Sequence, residues 1–120
     1  LITASSLRPG TRKALAYGLT AVLAFVIAAL TLLPLPAPPL AIDGGDKVYH
    51  FIAFAGLMLP VATLRPKALV WMIPAALLFG ASIEVLQPFV NRSRDLADFF
   101  ADAAGVLAGS ALGAALNRFS

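Results

Sequence analysis

The chain has 120 residues, of which 60% are hydrophobic and only 12% charged, and its formal net charge is +3. A soluble domain carries about 25% charged residues, and here the apolar residues run in blocks that lift the mean hydropathy to +0.89. That balance excludes an ordinary soluble domain and indicates an integral membrane protein whose single domain covers residues 1–120. Cysteine is absent, which excludes a disulfide framework, a thiolate zinc site and a thiol redox motif. The basic pI near 9.8 speaks in such a chain for membrane orientation, and no nucleic-acid partner is expected.

The first eleven residues form a short mixed lead-in that Arg8-Pro9-Gly10 punctuates. The sequence begins with Leu1, and what stands upstream of it is left open. Arg12 and Lys13 precede a stretch without any charge from Ala14 to Ile42. Within it a first helix is expected over about residues 14–33; Leu15 to Leu33 alone would span roughly 28 Å, close to a bilayer core. Pro34, Pro36, Pro38 and Pro39 end it, because proline lacks an amide and disfavours helix in the residue before it. A signal peptide is the rival reading, but the apolar core is longer than the about 7–15 residues such a leader uses.

Asp43-Gly44-Gly45-Asp46 reads as a turn, with Asp46 as N-cap of a second helix over about 47–64 that carries His50 one turn in. Arg65-Pro66-Lys67 makes a tight basic loop. A third helix is expected over about 68–87, kinked near Pro74 and stopped by Pro88. After a connector from Phe89 to Arg94, a fourth helix runs over about 95–116, finished by Asn117 and the snorkelling cation Arg118. The expected fold class is therefore all-α, a polytopic membrane protein built as an antiparallel bundle of four transmembrane helices.

Charge is segregated along these helices. Alternating passes place Arg8, Arg12, Lys13, Arg65, Lys67 and Arg118 on one side, and Lys47, Arg92 and Arg94 on the other. The excess of basic residues on the first side predicts that both termini lie in the cytoplasm. Asp43, Asp46, Glu84, Asp95, Asp98 and Asp102, and His50 with them, all fall at the opposite, outer end. On the fourth helix Asp95, Asp98, Asp102, Gly105, Gly109 and Gly113 lie within about an 80° arc. The glycine stripe is a face that lets a neighbouring helix approach closely, so the carboxylates on it face the bundle rather than lipid. Glu84 and Gln87 share one face of the third helix, and Asp46 and His50 one face of the second.

Packing explains Gly105, Gly109 and Gly113, capping explains Asp46, and neutralisation of Asp95 and Asp98 is one explanation of Arg92 and Arg94. Glu84, Asp98 and Asp102 call for more, since a deep charge costs about 2.5–3.5 kcal/mol on insertion scales. At these residues the chain resembles the VanZ-like family of small bacterial membrane proteins. The matching marks are D-K-x-x-H-F at Asp46, Lys47, His50 and Phe51, E-x-x-Q at Glu84 and Gln87, Arg92 six residues before Asp98, and D-x-x-x-D-x-x-G-x-x-x-G from Asp98 to Gly109. The likeness covers about Ala41 to Leu116, and the family often has asparagine where this chain has Asp102. The family's namesake is associated with resistance to the glycopeptide antibiotic teicoplanin, so the resemblance implies a role in the cell envelope.

Three functional readings follow. In the first, an outward-facing polar pocket binds a membrane lipid or a lipid-linked cell-wall precursor, with Lys47, Arg92 and Arg94 clamping a phosphate and His50, Glu84, Gln87, Asp98 and Asp102 meeting polar head-group atoms. In the second, the protein is an enzyme acting on a lipid head group. Its catalytic candidates are His50, Glu84 and Asp98, with Glu84, Asp98 and Asp102 as ligands for a divalent cation; no cofactor is otherwise indicated. In the third, it is an accessory subunit of a larger envelope complex that docks through the glycine face. Proton-linked transport is disfavoured, because no acidic relay continues past Asp102 into the other half of the bundle.

Overall fold

A computed structural model describes residues 6–33, 45–90 and 96–119. Its elements are α1 (Pro9–Leu32), α2 (Gly45–Leu64), α3 (Leu69–Leu86) and α4 (Leu96–Arg118), with 3-10 turns at Pro66–Ala68 and Gln87–Val90 on either side of α3. All four helices are long and apolar enough to cross a membrane, and no strand occurs among the described residues. The protein is a multi-pass, all-α membrane bundle. Its outward faces carry large apolar side chains such as Phe25, Val70, Leu78, Phe89 and Leu107, the surface that hydrocarbon requires.

The helix ends refine the expected limits. α1 starts at Pro9 rather than near Ala14, because proline at the first helical position gives up only an amide that would be unpaired anyway. Its last residue before Pro34, Leu33, is extended at φ −81° and ψ 147°, the conformation that a following proline imposes. α2 starts at Gly45, so Asp46 stands inside its first turn rather than at the cap; the Asp46 side chain lies outside the described residues. α4 starts at Leu96 and continues through Asn117 and Arg118, since the Asn117 amide donates to the Thr63 carbonyl at 2.7 Å and ties α4 to the end of α2. Pro74 and Pro60 both sit within continuous helices. Asp43, Asp95 and the cluster Pro34 to Pro39 lie outside the described residues.

The dominant contact in the bundle is between α2 and α4. Chain neighbours run antiparallel, so these two run parallel, and their pairing keeps a nearly constant register. Lys47 meets Asp98, His50 meets Asp102 and Thr63 meets Asn117. Between these polar rungs the glycine stripe closes the gap. A methyl group built on Gly105 would collide with the Phe51 carbonyl, one on Gly109 with the Ala55 carbonyl, and one on Gly113 with the Ala62 side chain. Here the backbones touch, which is how small residues drive helix association without a hydrophobic effect between spans.

α1 and α3 pack around this pair. Phe54, Leu57, Met58 and Val61 from α2 are buried with Met72, Ala76 and Ile83 from α3, Val106 from α4, and Ala16 and Ile27 from α1. Phe54 lies 5.9 Å from Phe79, and Tyr17 stacks on Trp71 at 5.6 Å across α1 and α3. The seam sets a clear expectation for mutation. Gly109→Ala forces the α2 and α4 backbones apart and should cost about 1–3 kcal/mol, the range for overpacking. Gly18→Ala, on open surface of α1, should be neutral or mildly stabilising. Thermal unfolding of both variants in detergent is the check; equal stabilities would contradict close backbone contact at Gly109.

Candidate functional site

The parallel register of α2 and α4 builds a polar cluster near the ends where both helices begin. Lys47 Nζ lies 3.0 Å from Asp98 Oδ1. One turn deeper, His50 Nδ1 lies 2.7 Å from Asp102 Oδ1, and its Nε2 is 3.6 Å from Asp98 Oδ2. The first His50 distance is a hydrogen bond, whereas the second is an electrostatic contact too long to be one. Side-chain exposure falls from 34% at Lys47 to 9% at Asp98 and 1% at Asp102, so the cluster runs from the surface of the bundle into its interior. A carboxylate on each nitrogen fixes how the imidazole ring is turned.

α3 closes the cluster from the other side. Glu84 and Gln87 are buried, at 6% and 4% exposure. The Gln87 amide can be oriented in two ways. In one its Nε2 donates to the Thr31 carbonyl at 3.4 Å; turned over, it donates to the two Glu84 oxygens at 3.2 and 3.3 Å. The second orientation has shorter contacts and a charged acceptor, so it is the stronger arrangement. Gly80, one turn from Glu84, faces Asp102: a methyl there would sit 3.0 Å from Asp102 Oδ2 and 3.4 Å from the Phe54 ring. The missing side chain at position 80 thus makes the room that the second Asp102 oxygen occupies.

That oxygen, Asp102 Oδ2, is buried and has no hydrogen-bond partner. An unsatisfied carboxylate oxygen inside a protein costs a few kcal/mol and so asks for a proton, a cation or a ligand donor. Beside it, His50, Glu84 and Asp102 each offer a ligand atom within 4.8 Å of the others. An imidazole beside two carboxylates is a donor set for a borderline first-row divalent cation rather than for an all-oxygen calcium site. The sequence pattern suggested Glu84, Asp98 and Asp102 as cation ligands; the structure groups His50 with Glu84 and Asp102, while Asp98 is engaged by Lys47.

Of the residues singled out from sequence, Lys47, His50, Glu84, Gln87, Asp98 and Asp102 come together in this cluster. Arg92 and Arg94 lie outside the described residues. Lys47, read as a phosphate clamp, has its ammonium 3.0 Å from Asp98 Oδ1. The pattern did not reveal a groove of about 550 Å³ lined by Ala81, Glu84, Val85, Leu96 and Phe99. It opens between α3 and α4, and among the described residues Glu84 is the only charged one lining it. Its signal was the apolar pairs at helical spacing on either side, Ala81 with Val85 and Leu96 with Phe99, but their contact depends on how two helices pack.

A family model described as VanZ/LLP1 matches residues 19–117, most of the chain. The chain belongs to the VanZ/LLP1 family. The matched segment contains all of the cluster, the glycine seam and the groove. No curated protein and no solved structure matches the chain. For this VanZ-like protein the energetic weight of the pairs can be ranked. His50 and Asp102, buried and charge-assisted, should show a coupling of about 1.5–3 kcal/mol in a double-mutant cycle with alanine. Lys47 and Asp98, at the wetter edge, should show about 1 kcal/mol or less. Reversal of that order in unfolding measurements would contradict the depth assigned to the cluster.

Proposed function

We propose that this VanZ-like protein binds the head group of a membrane lipid or lipid-linked molecule in the cluster at the ends of α2, α3 and α4. The apolar chain of that ligand then lies in the groove between α3 and α4. The groove is the observation that carries this reading: it joins the hydrocarbon-facing surface to a buried carboxylate, Glu84, and has the volume of a small-molecule site. A purely structural ion pair needs no such opening.

The described residues also bear on the kind of head group. Glu84, Asp98 and Asp102 are acceptors, His50 is held by Asp102, and the ammonium of Lys47 is engaged by Asp98. Such a site complements hydroxyl or ammonium donors on the ligand more than a bare phosphate. The excess of basic residues at the opposite end supports an orientation that turns the cluster outward from the bacterial inner membrane. There it would meet envelope lipids, which is how a link to glycopeptide resistance would arise.

Native mass spectrometry of the chain released from lipid tests this. The wild type should retain a lipid, and Glu84→Gln should weaken retention about tenfold or more, the loss expected for one charge-assisted hydrogen bond. Ala81→Trp, which fills the groove, should release the lipid, whereas Val70→Trp on the exposed surface of α3 should not. The same lipid complement in all four proteins would overturn the reading.

The triad of ligand atoms from His50, Glu84 and Asp102 favours a second reading, a cation-assisted enzyme acting on the head group. In it His50, Glu84 and Asp102 would hold the cation, which would supply Lewis-acid chemistry at the bond to be cleaved, while Asp98 would assist proton transfer. Purified protein should then bind Mn²⁺ stoichiometrically and turn over lipid substrates in a manner that EDTA and His50→Ala both abolish. Turnover that survives both treatments would refute this reading.

A further inference from the structure

The end of the bundle farthest from the cluster holds a second pocket, of about 310 Å³, lined by Pro9, Arg12, Leu64, Arg65, Pro66, Lys67 and Asn117. Its three cations come from two separate segments, the first turn of α1 and the turn between α2 and α3. Among the described residues no carboxylate lines it, and the buried Glu84, Asp98 and Asp102 stand in the cluster at the other end. Arg12, Arg65 and Lys67 form no salt bridge among the described residues. Helix dipoles do not set its potential, because two helices begin and two end there and their partial charges largely cancel. The positive charge belongs to the side chains.

The positive-inside tendency explains basic residues in solvated loops. It does not explain a guanidinium whose Nε is buried without any hydrogen-bond partner, which is the state of Arg12. Arg65 and Lys67 are exposed at the rim and Arg12 is half-buried, so the three cations converge on one opening. A buried donor of this kind is normally satisfied, and here an anion would satisfy it and neutralise the neighbours together. The floor is firm. The Arg65 amide bonds to the Val61 carbonyl at 2.7 Å, the Ala68 amide to the Arg65 carbonyl at 3.0 Å, and Asn117 anchors α4 on Thr63.

We infer that this pocket is an anion site for a phosphate ester, with Arg12 as the fork that holds two phosphoryl oxygens and Arg65 and Lys67 as supporting charges. A basic pocket between spans at a membrane boundary matches the head group of an anionic phospholipid in that leaflet. A soluble phosphate ester offers the same chemistry. The site is separate from the cluster around His50 and does not depend on what binds there.

The full chain in nanodiscs provides the test, with phosphatidylglycerol and phosphatidylcholine as paired lipid probes and glycerol 3-phosphate as the soluble probe. Native mass spectrometry should show phosphatidylglycerol retained in preference to phosphatidylcholine. Arg12→Gln should lower that retention about tenfold, the loss expected for a charge-assisted pair, and Arg65→Gln with Lys67→Gln should lower it as well. Lys13→Gln removes an equal charge next to the pocket but outside its lining, so it should leave retention unchanged. Displacement of the lipid by glycerol 3-phosphate identifies a soluble ester as an occupant; resistance to it identifies the lipid, and either result supports the anion site. Equal retention of both lipids, or equal losses for Arg12→Gln and Lys13→Gln, would reduce the pocket to diffuse surface charge and overturn the inference.

Discussion

The close approach of α2 and α4 is the constraint on which the rest of the structure depends. Gly105, Gly109 and Gly113 remove the side chains that would hold the two backbones apart, and the carbonyls of Phe51 and Ala55 fill the space. Between membrane helices there is no hydrophobic gain, so this contact rests on packing and on the polar rungs at its two ends. The rungs and the glycines enforce the same register. A slip by one residue would turn His50 away from Asp102 and place side chains of α2 against the glycine stripe at the wrong height.

That register is also what makes buried carboxylates tolerable. Each of Glu84, Asp98 and Asp102 would be costly facing hydrocarbon, and each is instead turned inward and given a polar neighbour. Asp98 has Lys47, Asp102 has His50, and Glu84 has the Gln87 amide. The cover is incomplete at one atom, the second oxygen of Asp102, and α3 accommodates it by carrying glycine at position 80. Breaking one member of such a group leaves its partner buried and uncompensated, which costs more than the pair contributes when intact. The cluster therefore has to be assembled as a unit, by the packing of helices whose own faces are mostly apolar.

Much of this was legible in the sequence. Uncharged stretches of membrane length, bounded by proline clusters and basic turns, gave the four helices, because backbone satisfaction in lipid leaves few alternatives. The acidic residues and the glycines sharing one arc of α4 pointed inward for a simple geometric reason. Helix ends were less legible: Pro9 reads equally as a loop breaker or as a first helical residue, and only the continuing turn of Thr11, Arg12 and Lys13 decides. The grouping of His50 with Glu84 and Asp102 in preference to Asp98, and the groove beside Glu84, depend on the rotation of α3 against α4, which no single-chain periodicity encodes. For the same reason Arg12, Arg65 and Lys67 read as markers of orientation, whereas their convergence on one pocket emerges only when α1 packs beside the turn before α3.

The most direct test of the account is the distance between the imidazole of His50 and the carboxylate of Asp102 in a lipid bilayer. Solid-state NMR dipolar recoupling between ¹⁵Nδ1 of His50 and ¹³Cγ of Asp102 measures it without perturbing either group. The expected coupling corresponds to hydrogen-bond contact, with the nitrogen about 3.5 Å from that carbon. Absence of a coupling in protein that is otherwise folded and helical would mean that α2 and α4 do not meet in this register, and the cluster built on their meeting would not exist.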